Sequence, residues 1–211
     1  MTTLATLKAR IADELSRSDL TSQISTAIND AIALYQPKRF YFNETDASGL
    51  QFSTVASQET YDKDDLASLE YLYDVDDVFV IVGVNRFRVK RLDPTTFNIN
   101  RMPYFIGQPY TYMWNNRQFS FSPIPNTAYT MYVLGYYKIA APASDAEANN
   151  PWMTDAERLI RQTAKRMLYQ DILLDGEAAN ACKLAEDEAF FSLAATSNSM
   201  SRTGFIQGMA F

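Results

Sequence analysis

Pro151 to Leu173 reads PWMTDAERLIRQTAKRMLYQDIL, and this stretch decides the fold. Leu159, Ile160, Ala164, Met167, Leu168, Ile172 and Leu173 recur at helical spacing and make one apolar face. Thr154 with Glu157 three residues later predicts a capping box, with Trp152-Met153 stapling the chain where the helix begins. The pattern runs to Asp175-Gly176. Beyond it, Glu177 to Ala195 is Ala-rich with Leu184, Phe190, Phe191 and Leu193, a second helix whose small residues allow a close crossing.

Matching helices lie at the opposite end of the chain. Leu4, Leu7, Ile11 and Leu15 form one stripe; Leu20, Ile24, Ala27, Ile28, Ala31, Ile32 and Tyr35 form another. Asp19 is the expected N-cap of the second helix, and Pro37 ends it near Gln36. The short connection predicts an antiparallel helical hairpin.

Between these ends the period changes to two and the residues become aromatic and β-branched. Strands are expected at Leu50–Val55, Glu59–Asp62, Val78–Val84, Phe87–Leu92, Tyr110–Trp114, Gln118–Ser122 and Tyr129–Lys138. Val78–Val84 (VFVIVGV) is apolar enough to be buried on both faces, and Phe87–Leu92 pairs with it through Asn85-Arg86. Asn115-Asn116 reads as a hairpin turn, and Asp93-Pro94 opens a short helix to Asn100. The fold class is α+β. Residues 1–42 and 151–197 form a helical bundle, 43–150 an inserted antiparallel β domain, and 198–211 an extended tail.

Composition removes several chemistries. The chain has 211 residues, 19 Lys and Arg against 25 Asp and Glu, and a net charge of −6. It has no histidine, so Ser-His-Asp and Cys-His nucleophile pairs and His-ligated zinc are excluded. Cys182 is the only cysteine, which excludes an intrachain disulfide framework or a multi-Cys metal site. Its Ala-rich helix makes it a packing residue. No cofactor or metal is expected. Asp13 and Glu14 interrupt any secretory signal, and the longest apolar run is far shorter than a membrane span, so a soluble protein is expected.

Charge is segregated along the β region. Tyr61 to Asp77 has seven acids and only Lys63; Val78 to Arg117 has six basic residues against Asp93. Asp64, Asp65, Asp76 and Asp77 on one side, and Arg86, Arg88, Lys90 and Arg91 on the other, are candidate contacts between identical subunits. The competing reading is a pair of solvated faces within one domain. The acids could also serve a carboxylate-based carbohydrate-active protein, and the basic row could touch nucleic-acid phosphates. At the end of the chain, Thr196 to Phe211 (TSNSMSRTGFIQGMAF) is Ser-rich yet holds apolar side chains. Flexible spacer and anchors together fit a peptide that docks into a partner's groove, with Phe205, Ile206, Met209 and Phe211 as anchors; packing back on the parent bundle is the competing reading.

Residues 7–44, ending in Arg39–Glu44 (RFYFNE), resemble head-to-tail adaptor (connector) proteins of tailed bacteriophages. Gln51–Asp62 (QFSTVASQETYD), Gln118–Tyr137 (QFSFSPIPNTAYTMYVLGYY) and Asn149–Leu173 extend the resemblance over most of the chain. It rests on order and texture, since no single motif is chemically diagnostic. The resemblance implies a non-enzymatic virion component of the phage neck, made in the host cytoplasm. It implies a ring, commonly of twelve copies, under the portal protein that extends the DNA channel and offers a platform to tail or nozzle proteins. It makes the terminal anchors a portal-docking peptide, and the acidic chain would let DNA pass without specific binding. Another tail-completion or baseplate protein is the alternative within the same class.

Overall fold

A computed structural model describes residues 2–45, 50–101 and 104–200. In chain order the helices are α1 (Leu4–Glu14), α2 (Thr21–Tyr35), α3 (Pro94–Asn100), α4 (Pro151–Thr154), α5 (Glu157–Leu168) and α6 (Gly176–Met200). The strands are β1 (Leu50–Ser53), β2 (Thr60–Tyr61), β3 (Leu72–Val82), β4 (Asn85–Arg91), β5 (Ile106–Gly107), β6 (Thr111–Asn115), β7 (Gln118–Ser122), β8 (Ile124–Pro125) and β9 (Thr130–Tyr137). The protein is α+β, with helices at both ends of the chain. Two compact units result: Met1–Phe42 with Ile139–Phe211, and Asn43–Lys138.

In the helical unit α5 packs against both α2 and α6, and α1 lies on α2 and α5. The apolar stripes meet as expected: Leu7, Ile11, Ile24, Ile28, Ile32, Leu159, Ile160 and Ala164 are fully buried. Trp152 is buried against Phe40 and Phe42, at ring distances of 6.2 and 5.3 Å, and donates its indole N–H to the Ile139 carbonyl at 3.0 Å. That bond helps explain a difference from the expected boundary. Residues 139–150 belong with the helices, because Gln36 also donates to the Ile139 carbonyl and Lys8 pairs with Asp145 at 2.6 Å.

Two expected caps are made differently. Asn150 caps α4, accepting from the Trp152 amide at 3.1 Å, and α5 starts behind Ala156 without a side-chain cap. Thr154 is the last residue of α4 and not a cap. Asp19 does not cap α2, because the nearby Arg17 fork takes its carboxylate through two bonds of 2.8 and 2.7 Å. A π-helical turn at Tyr169–Leu173 joins α5 to the break before α6.

In the other unit seven strands form one sheet in the order β1-β9-β3-β4-β6-β7-β2, antiparallel except for β4 beside β6. The two end strands meet: the Phe52 ring of β1 is 5.7 Å from Tyr61 of β2, so the sheet curls on itself. Phe52, Tyr61, Tyr112, Phe119, Phe121 and the inward valines Val75, Val78, Val80 and Val89 fill the interior. The sheet is curled and not sandwiched, so the Val78–Val84 run is not buried on both faces. Val78 and Val80 point in, Phe79 and Ile81 are half-buried, and Val84 is 97% exposed.

The turns fall near their expected places. Gly83-Val84 links β3 to β4, with only Gly83 at positive φ, the glycine-first form suited to a hairpin. Asn116-Arg117 links β6 to β7, both at positive φ. Each is one or two residues from the pair read in the sequence, because a two-residue loop is set by register. β3 carries two bulges opposite β9, between Leu72 and Asp74 and between Val75 and Asp77. Gly135 sits between them, where a Cβ would lie 2.1 Å from the Asp74 carbonyl oxygen. Thr45 brackets the same residue, its amide donating to the Gly135 carbonyl at 2.8 Å and its hydroxyl accepting from the Gly135 amide at 3.1 Å. Glu44 forms a β-bridge with Tyr136, so the two ends of this unit are joined.

Candidate functional site

The charged residues singled out in the sequence fall on the β3–β4 ribbon and the loop before it. Arg88 lies opposite Phe79 and reaches diagonally to Asp77, with Nε at 2.7 Å. Arg91 pairs with Asp74 at 3.2 Å and donates to the Val75 carbonyl at 2.8 Å. Arg86 lies over the Tyr132 ring, 4.4 Å from its centroid. Lys90 is exposed on the same strand. The acidic and basic blocks therefore meet at two places inside one ribbon, in exposed pairs that each contribute less than about 1 kcal/mol.

The other acids lie elsewhere. Asp64 and Asp65 are exposed in the Asp62–Asp65 loop, which closes on itself: the Asp64 amide donates to Asp62 at 2.8 Å and the Asp62 amide to Asp65 at 3.2 Å. Asp76 is exposed on β3. These acids are solvated or ion-paired, and do not form the facing buried pair that a glycosidase needs. Among the described residues no group of three or more His, Cys, Asp or Glu could hold a metal ion, and no helix is long and apolar enough to cross a membrane.

The helical unit holds a buried polar network that the sequence pattern gave no sign of. Glu186 is 1% exposed on α6, accepting from Arg166 Nε at 2.5 Å and the Tyr35 hydroxyl at 2.6 Å. Burial, reinforced by that hydrogen bond, pushes the Tyr35 phenol well above its ordinary range. Nearby, burial and a hydrogen bond to Asp155 push Tyr41 up to about 12. Burial also raises the Cys182 thiol, in keeping with a packing role. Tyr112, in the β unit, is pushed up to about 12 by burial.

Glu14 links α1 to α5. It accepts from Arg161 at 2.5 Å and Lys165 at 2.8 Å. Burial raises its carboxyl, but the combined bonds and charges of Lys165 and Arg161 prevail and hold it below its ordinary value. A lowered acid stabilises the fold above its ordinary titration range and loses that contribution as pH falls. Thermal unfolding from about pH 6 down to about pH 3 is therefore expected to fall less steeply in Glu14→Gln than in the parent chain. Equal slopes would show that Glu14 makes no such contribution.

Two exposed features remain. A groove of about 340 Å³ lies between α2 and the α5 end, with Ala27, Met167, Leu168 and Ile172 among its walls and Asp30 and Asp171 beside them. On the β unit, the β3–β4 hairpin tip exposes Val82, Val84 and Phe87. Phe205, Ile206, Met209 and Phe211, the anchors expected from the sequence, lie outside the described residues. The segment before them differs from the tail expected: α6 continues to Met200, and Ser197 is buried, accepting from the Tyr41 amide at 3.2 Å.

Residues 2–204, both units together, match the family model described as SU10 adaptor protein. The chain belongs to the SU10 adaptor protein family. Members of that family are phage head-to-tail adaptors, as the sequence resemblance implied. Among curated proteins none matches the chain. The exposed features of this adaptor are the charged ribbon, the hairpin tip and the groove beside α2.

Proposed function

We propose that this adaptor forms a ring beneath the portal in the phage neck, extends the channel through which DNA passes, and offers the tail its platform. The family match over residues 2–204 is the observation that supports the reading. A net charge of −6 agrees with a channel wall that DNA slides past without sticking. The ring contact is heterologous and uses opposite charge, with Arg86, Arg88, Lys90 and Arg91 candidates on one side and Asp64, Asp65, Asp76 and Asp77 on the other. Asp77 and Arg88 already pair within the chain, so their part in the contact requires that they exchange partners. Phe205, Ile206, Met209 and Phe211 anchor the adaptor to the portal, and the ring is a dodecamer.

Negative-stain electron microscopy of the protein mixed with its own phage's portal tests this. An added ring on the portal is the expected result. A portal that gains no density overturns the reading. Ending the chain after Thr203 is expected to leave both units folded, by circular dichroism, and to abolish attachment. Normal attachment of the shortened chain would sink the docking-peptide role alone.

A further inference from the structure

Charge gives a protein contact its register and encounter rate more than its affinity, so a ring held by surface ion pairs alone would be weak. An apolar contact is needed beside them, and the exposed hairpin tip is a candidate for one half of it. Val84 is 97% exposed in the Gly83-Val84 turn, with Phe87 (47%) and Val82 (38%) on one face of the ribbon behind it and Arg86 and Arg88 on the other. An apolar knob with a basic rim calls for an apolar hollow with an acidic rim.

The groove beside α2 has that chemistry. Met167 and Ile172 (43% exposed) give it an apolar wall over the buried Ala27 and Leu168, and Ser22, Gln23 and Thr26 of α2 complete the lining. Asp30 and Asp171 lie among its lining residues, both exposed. Among the described residues neither has a basic partner, in contrast to Asp74 and Asp77, which Arg91 and Arg88 already hold. A cation beside the groove would meet two uncompensated carboxylates over an apolar floor. Its volume of about 340 Å³ has room for an aliphatic or aromatic side chain.

We infer that the β3–β4 hairpin of one copy docks in the α2–α5 groove of the next, Val84 and Phe87 filling the hollow while Arg86 and Arg88 face Asp30 and Asp171. Knob and hollow are different surfaces of the same chain, so the contact is heterologous and propagates from copy to copy until it closes. The inference rests on the ring reading and supplies its apolar half. In this contact Asp30 and Asp171 take the place of Asp64, Asp65, Asp76 and Asp77 as the acids that Arg86 and Arg88 meet, and Arg88 leaves Asp77 to do so.

The test uses the full chain on its portal, read as ring occupancy by electron microscopy and mass photometry. Val84→Asp changes a side chain that touches almost nothing in the fold and is expected to lower ring affinity roughly tenfold or more. Asp30→Lys with Asp171→Lys, and separately Arg86→Glu with Arg88→Glu, are each expected to lower it to a similar degree. The chain carrying all four reversals is expected to recover, because each hairpin then meets a groove of opposite sign. Circular dichroism of each variant confirms folding.

If the parent chain forms no ring, the ring reading itself fails. If it does, and Val84→Asp or either reversed pair assembles like the parent, the hairpin–groove contact is wrong. Loss with the groove pair alone would mean that another occupant, such as the C-terminal segment of a neighbour, fills the groove. Failure of the fourfold variant to recover would show that the two surfaces do not face each other.

Discussion

Gly135→Ala is expected to destabilise the β unit by about 3 kcal/mol or more, seen as an early loss of its aromatic near-ultraviolet signal in urea. The added Cβ would lie 2.1 Å from the Asp74 carbonyl oxygen and 3.2 Å from the Val75 Cα. Both obstacles are backbone, so no rotamer change relieves them. The strand cannot retreat either, because Thr45 holds Gly135 from the other side through two hydrogen bonds. Gly83 supplies the control. Its φ is +61° but a Cβ there meets nothing within 4 Å, so Gly83→Ala is expected to cost only about 1 kcal/mol of backbone strain. Equal effects at the two glycines would show that the bulges of β3 do not press on β9.

Arg166→Ala is expected to cost the helical unit about 3 kcal/mol, because it strands a carboxylate that is 1% exposed. Lys183 is 3.7 Å away and the Tyr35 hydroxyl stays, so part of the charge remains compensated. Removing the whole network should behave oppositely. Tyr35→Phe, Arg166→Met and Glu186→Leu together are expected to be near neutral or stabilising, since neither a charge nor a hydroxyl is then left unpaired. A double-mutant cycle between Arg166 and Glu186 in urea measures the coupling. A cycle that sums to zero would mean the pair does not interact.

Much of the fold was legible from periodicity. The stripes at Leu4–Leu15, Leu20–Tyr35 and Leu159–Leu173 each became a helix, and Asp93 caps α3 with Pro94 behind it. Signals that lie within one turn of backbone can be read along the chain. What failed needed a partner from afar. Residues 139–150 look like loop, and it takes distant partners, Trp152 and Gln36 on Ile139 and Lys8 on Asp145, to tie them to the helices. Val78–Val84 looks buried throughout, but the curl of the sheet, invisible in a local window, leaves one face outside.

The candidate surfaces follow the same rule. The opposed charges at 61–77 and 78–117 were visible, yet their mutual pairing depends on a hairpin register that places Arg88 beside Asp77. Asp30 and Asp171 carry no joint signal in the sequence, because 140 residues of chain separate two acids that α2 and the end of α5 bring to one groove. Glu186 reads as one more solvated acid on an amphipathic helix. Only Tyr35 and Arg166, on other helices, reveal it as buried.

The Glu44–Tyr136 bridge has a bearing on how the protein is made. During synthesis α1 and α2 emerge first, but α5, on which α2 packs, follows only after the whole of Asn43–Lys138. Until then the early helices present apolar faces with nothing to cover them. Once the intervening unit folds, its own ends are clasped, and Phe42 and Ile139 become neighbours in effective chain length. By the logarithmic cost of loop closure, shortening the tether from the full insertion to a few residues saves about 2–3 kcal/mol of chain entropy. A lesion at the clasp is therefore expected to delay the assembly of helices whose sequences lie on either side of the inserted unit.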